Sequence, residues 1–339
     1  MLRNSIRSTA SGLICVLSLL TIGWAAPVGA APSLSLGPPP TAKAVVKPTS
    51  GTSSAGQTTS RHRIPRTVFF SEEAGRGLLV KVWVNGFGPY TFALDTGAGA
   101  SIVSARVASE ARLVVKPGSA GRIAGLSGVP SRELTSEVRV ENLAVGERDN
   151  FMPGSGVVLR ADIFPRDIDG ILDPVESYWP LGFVIDLPGR ELSAFDPGLS
   201  SLRSRREPAG GAIVPWLRDS DSRRPFVMLD DGQRVLIDTG SEFGLALRDD
   251  GRTGQRRNSD SDRMVRDLGG GTISARRVAP LTVAIGSLML RRIPTDLVTG
   301  AERGAPALLG RAALRPFRLS FDPISRLIEI APAGRARER

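Results

Sequence analysis

Two short stretches of this chain could do chemistry. Phe92–Ala93–Leu94 runs into Asp95–Thr96–Gly97, and Val235–Leu236–Ile237 runs into Asp238–Thr239–Gly240. Small residues and a further apolar run follow each, Ser101–Ile102–Val103 in the first and Gly244–Leu245–Ala246–Leu247 in the second. A strand that delivers an Asp to a sharp turn needs a Gly there, because a residue without Cβ bends the chain without a clash. Two such turns face to face would set two carboxylates side by side. Like charges that close cannot both ionise, so one proton is shared and the acids titrate as a pair. One member can then draw a proton from a bound water while the other gives one up. Taken singly, either stretch also reads as an ordinary turn at a strand end. The matched pair favours chemistry, and it makes Asp95 and Asp238 the candidate catalytic residues.

Other chemistries lack their residues. The chain has one Cys, Cys15, in an N-terminal apolar segment, and one His, His62, in a polar stretch. A Ser-His or Cys-His nucleophile system has no members to draw on. A zinc site would lack its His and Cys ligands, and no Gly-rich phosphate loop with its Lys is present. Neither a metal nor a cofactor is expected. The formal charge is +10, much of it Arg. That charge reads either as attraction to nucleic acid or as a solvated basic surface. The Arg residues are scattered and not interleaved with aromatics, which favours the surface, so no nucleic-acid partner is expected.

The elements that must position the acids read as strands and turns. The 339 residues are rich in Gly and Pro and poor in aromatics, which suits short strands better than long helices. Leu78 to Val84 is a strand pattern, Asn85–Gly86 and Gly88–Pro89 supply a turn, and Tyr90 to Leu94 returns into Asp95. Val103 to Leu113 reads as a short helix and Ser136 to Leu143 as a strand. Phe183 to Leu187 and Glu191 to Phe195 form a closing hairpin. The second half repeats this. Pro225 to Leu229, an Asp230–Asp231–Gly232–Gln233 turn and Arg234 to Ile237 lead into Asp238. Ala279 to Ile285 is a strand, and Phe317 to Phe321 with Leu327 to Ile330 closes the unit. Asp95 and Asp238 stand 143 residues apart, and Asp186 and Asp322 stand 136 apart. Similar offsets at both ends indicate duplication of one unit.

Residues 1–30 read as a signal peptide. Arg3 and Arg7 are the charged start, Leu13 to Ile22 the apolar centre, and Val28–Gly29–Ala30 the cleavage position. This places the protein in the periplasm or outside the cell, with no stable membrane insertion. If the segment stays uncleaved it is a membrane anchor instead. Residues 31–65 are a Pro/Ser/Thr-rich linker expected to be disordered. Residues 66–200 and 201–332 are the two related units, and 333–339 is a basic tail. Residues 248–263 read as an exposed charged loop.

The chain resembles the aspartic proteases, in both their pepsin-like and retropepsin-like branches. The resemblance covers roughly residues 67–331. It rests on the two Asp-Thr-Gly motifs and on Ala307–Leu308–Leu309–Gly310–Arg311, the apolar pair and Gly expected later in each lobe. The first half has Gly170–Ile171–Leu172–Asp173, with Asp173 where the family has Gly. The resemblance implies a mostly β fold of two related pepsin/retropepsin-like β-barrel lobes with an active-site cleft between them. It implies an exported monomeric aspartic endopeptidase acting on a protein or peptide substrate. Thr96 and Thr239 would lock the two turns together, and Gly97 and Gly240 would set backbone N–H groups against the carboxylates. Gly118 to Gly128 and Leu268 to Thr272 hold the places of flaps over the substrate, or are plain surface hairpins; the pepsin-like flap Tyr is absent. A non-catalytic peptide-binding or scaffolding protein on the same fold is the alternative, as is a basic cell-envelope protein whose acids are incidental.

Overall fold

The computed structural model of the protein describes residues 15–16, 21–23, 63–132, 134–154, 156–164, 167–219, 222–249, 262–267 and 269–333. The signal segment, the linker with His62, the charged loop in 248–263, Leu268 and the basic tail therefore fall wholly or largely outside the described residues. The described part is mostly β. Among the described residues no helix is long and apolar enough to cross a membrane.

Each half builds its own sheet. In the first, Gly77–Val84 and Phe87–Leu94 pair as the expected hairpin. Its turn residues Asn85 and Gly86 both take positive φ, at 50° and 80°, which Asn and Gly tolerate best. Gly170–Leu172 inserts beside Phe87–Leu94 in parallel and pairs with Ile102–Val103 on its other edge. The second half repeats this arrangement. Arg234–Asp238 is flanked by Phe226–Met228 and, in parallel, by Ala307–Gly310, which also pairs with Leu245–Arg248. In both halves a parallel strand therefore lies against the one that carries the Asp. A short helix follows it, Pro174–Ser177 in the first half and Arg311–Leu314 in the second.

A third sheet joins the halves. Its strand order is Ala212–Pro215, Leu327–Pro332, Phe317–Asp322, Gly182–Asp186, Glu191–Phe195, Val68–Phe69. The two closing hairpins meet at its centre, with Val184 opposite Ser320 and Phe183 opposite Phe321. The Phe183 and Phe321 rings stack at 4.6 Å, with Tyr178 beyond Phe183 and Trp216 edge-on to Phe321. One buried core runs through both halves.

Three expectations change in detail. The helix expected from Val103 to Leu113 is confined to Ala105–Glu110. Ser104 caps its start by accepting the Val107 N–H, and Arg112 at φ 54° ends it. The strand expected over Ser136 to Leu143 is two strands, Ser136–Arg139 and Leu143–Val145. Asn85 Oδ1 accepts the N–H groups of Glu141 and Asn142 and so removes both from any ladder. In the second half, Thr272–Ile285 and Leu288–Thr299 form a hairpin much longer than the strand read at Ala279 to Ile285. Cys15–Val16 adds in parallel to Arg263–Asp267 at the edge of the second half's sheet, and Thr21–Gly23 pairs with Arg122–Ala124 as a separate two-stranded sheet.

Candidate active site

Both acids arrive at the buried ends of their strands. Phe92, Ala93 and Leu94 are each 1% exposed, and Val235, Leu236 and Ile237 are fully buried. A continuous apolar run is what a strand covered on both faces requires. The chain turns immediately after each Asp. The Asp95 N–H donates to the Leu172 carbonyl at 3.0 Å, which ties the first turn to its parallel neighbour. In the second half Asp238 lies opposite Gly310 in the ladder.

The two turns are interlocked. The Thr96 N–H donates to Thr239 Oγ1 and the Thr239 N–H to Thr96 Oγ1, both at 3.1 Å. Thr96 Oγ1 in turn donates to the Ile237 carbonyl at 2.7 Å, and Thr239 Oγ1 to the Leu94 carbonyl at 3.5 Å. Thr96 and Thr239 thus bridge the two turns. The glycines bring the acids together. A Cβ on Gly97 would lie 2.8 Å from Asp238 Cγ, and one on Gly240 would overlap the Asp95 carboxyl. Each motif's Gly is packed against the other motif's acid. The carboxyls are supported unequally. The Gly97 N–H donates to Asp95 Oδ1 at 2.7 Å, but the N–H that reaches Asp238 Oδ1, at 3.0 Å, belongs to Ser241. The Ser241 hydroxyl accepts the Phe243 N–H.

Asp95 and Asp238 are both fully buried. Burial pushes the Asp95 carboxyl well above the usual range, the charge of Asp238 pushes it further, and the Gly97 N–H pulls the other way. A pair of this kind can share one proton between two oxygens and act as acid and base in one step.

Two charged neighbours were not recognised from the sequence as part of the site. Arg311, 2% exposed, directly follows Leu308–Leu309–Gly310. Its guanidinium donates to the Thr239 carbonyl at 2.7 Å and to Glu242 at 3.4 Å, and lies 3.6 Å from Glu72. Glu72 comes from the first half, so Arg311 links the halves beneath the second motif. A charged residue inside an otherwise apolar motif was the available signal. Asp173, 1% exposed, follows Leu172 and caps Pro174–Ser177, accepting the Val175 N–H at 2.9 Å. Asp followed by Pro is a helix-start pattern, and it explains a residue that otherwise reads only as a departure from the family.

The glycine-rich tips meet across the halves. The Ser127 N–H donates to Asp267 Oδ2 at 2.7 Å. Gly125 leaves no room for a side chain against Asp267, nor Gly271 against Ser127.

No curated protein matches the chain. Residues 80–172 match a family model described as Aspartyl protease, a segment that contains Asp95–Thr96–Gly97 and ends at Leu172. This part of the chain is thus similar to the aspartyl proteases, which supports a hydrolase acting on peptide bonds.

Proposed function

We propose that the protein is an aspartic endopeptidase whose two halves are pepsin- or retropepsin-like lobes, each giving one acid to the site. The observation that carries this reading is the interlock of the two Asp-Thr-Gly turns, with each Gly against the other turn's carboxyl. A lone strand-end turn has no use for that arrangement. A water held between the acids loses a proton to one as it attacks the scissile carbonyl, and the other protonates the carbonyl oxygen. The peptide lies extended in the cleft, taking β-type hydrogen bonds from the glycine-rich tips.

Cleavage of an unfolded mixed-protein substrate from pH 3 to 8 tests the reading, beside Asp95→Asn and Asp238→Asn. Each substitution is expected to lower activity roughly a thousandfold or more. Full activity in either variant removes that residue from the mechanism. Stability should move the opposite way. The buried Asp95 carboxyl is raised above its unfolded value, so its protonation stabilises the fold fully below about pH 4 and ever less as pH rises through the folded value. A neutral Asn escapes that loss. Asp95→Asn is expected to resist urea better than the parent at pH 7, with the gap closing toward pH 4.

Export is proposed on Arg3, Arg7, the apolar run from Leu13 to Ile22 and Val28–Gly29–Ala30. N-terminal sequencing of the protein from a bacterial host reads it directly. A chain that begins after Ala30 is the expected result; one that keeps Met1 is not exported by cleavage.

A further inference from the structure

The surroundings of the two acids differ in charge. On the first half's side stands Asp173, and on the second half's side Arg311. Both are buried; Asp173 adjoins the residue that pairs with Asp95, and the Arg311 guanidinium touches the second motif. The Leu172 carbonyl, immediately before Asp173, accepts the Asp95 N–H. The Thr239 carbonyl, immediately after Asp238, accepts from Arg311. Asp173 is fixed firmly. Its N–H donates to Ser101 Oγ at 3.0 Å, Ser101 Oγ lies 3.2 Å from Ser177 Oγ, and the Asp173 carbonyl accepts the Ser177 N–H. Its carboxyl cannot swing away to solvent without undoing the start of the helix.

Resting on the reading above, we propose that Asp173 is a positioning residue: a third carboxyl that keeps the shared proton of the dyad on Asp95, so that Asp95 is the acid and Asp238 the base. A negative charge beside Asp95 disfavours loss of its proton, and a positive charge beside Asp238 favours its ionised form. The groups facing Asp173 are few. Glu176 on its own short helix disfavours its ionisation, while Arg224 from the neighbouring loop and the Val175 and Glu176 N–H groups favour it. Glu176 is itself partly neutralised by Arg223 at 2.7 Å. Burial is the largest influence and holds the Asp173 carboxyl well up. Ionisation of Asp173 makes that of Asp95 harder. The first half has a carboxylate where the second has Gly310, whose missing side chain could not be added against the Phe243 carbonyl.

The test is the pH dependence of kcat/KM for the parent, Asp173→Asn and Asp173→Gly. Asn keeps a side-chain oxygen for the Val175 N–H, and Gly loses the cap. Both remove the charge. The alkaline limb, where the dyad loses its shared proton, should move to lower pH by roughly one unit in both variants, while only Gly should weaken the fold. An unmoved limb in Asp173→Asn overturns the proposal, and so does a limb that moves only with Gly. Asp173→Ser supplies a second neutral cap if Asn does not fold. Carboxyl carbon NMR of Asp95 reads the same shift in the absence of turnover. An inactive parent would therefore count against the peptidase reading, and an Asp95 titration unchanged by Asp173→Asn against this one.

Discussion

Gly240→Ala is expected to lower kcat/KM by roughly a thousandfold or more. The added methyl has one place to go, and Asp95 Cγ and both its oxygens are already there. Nothing in the backbone conformation of Gly240 forbids alanine, since its φ is not among the positive ones. The cost is the collision alone. Either Asp95 rotates out of the dyad or the second turn backs away and strains the Thr96–Thr239 interlock. A displacement of about 1 Å at reacting groups costs about a hundredfold, and the loss of the Gly97 hydrogen bond to Asp95 adds to it. Overpacking should also cost about 1–3 kcal/mol of stability, read by urea unfolding. A double-mutant cycle identifies the cause. If the clash is with the Asp95 carboxyl, Gly240→Ala should cost far less stability when Asp95 is also Ala. A Gly240→Ala enzyme with near-parent activity would show that the two turns do not meet as described. Gly97→Ala, with 2.8 Å to Asp238 Cγ, should behave alike and somewhat less severely.

What the sequence made legible was local. The hairpin into Asp95, the strand into Asp238 and the turn at Asn85–Gly86 follow from runs of adjacent residues whose types dictate extended chain or positive φ. The repetition of the unit was legible because both copies kept the same order of apolar runs and Asp. Contacts between the halves were not. Nothing near Gly240 in the chain points to Asp95, and nothing near Arg311 points to Glu72, 239 positions earlier. The Arg residues appear scattered, yet Arg223 stacks on Trp179 at 4.1 Å and Arg234 on Phe226 at 3.8 Å. Those pairs form only after folding, so no reading of neighbours finds them. Asp173 is a different case. Its helix-start signal, Asp before Pro, was local and readable, but comparison with a Gly-containing motif drew attention to what was missing instead of what was supplied. The break at 140–142 is likewise invisible from periodicity, because its cause, Asn85 Oδ1, lies on another turn.

Arg311→Met should be the most destabilising single change near the site, by about 3–5 kcal/mol in urea unfolding. Three groups hold the guanidinium: the Thr239 carbonyl, Glu242 and Glu72. Burial pushes Arg311 down from its ordinary value, and the charges of Glu242 and Glu72 oppose that. Met fills much of the volume but leaves the Thr239 carbonyl without this donor. The two glutamates suffer less. Glu72 keeps Arg315 at 2.8 Å and Glu242 keeps the Gly75 N–H at 2.7 Å, and each side chain is 24% exposed. The loss should therefore fall toward the lower end of that range. Arg311→Lys separates charge from shape. Lysine restores a positive charge beneath Asp238 but cannot reach a carbonyl and two carboxylates from opposite sides, because that needs the planar fork of Arg. The Lys variant should thus recover the acidic limb of the pH–rate profile, which Met moves to higher pH, while recovering little stability. Equal stability of Met and parent would mean that the halves do not depend on this link. A Lys variant as stable as the parent would mean that charge alone sustains it.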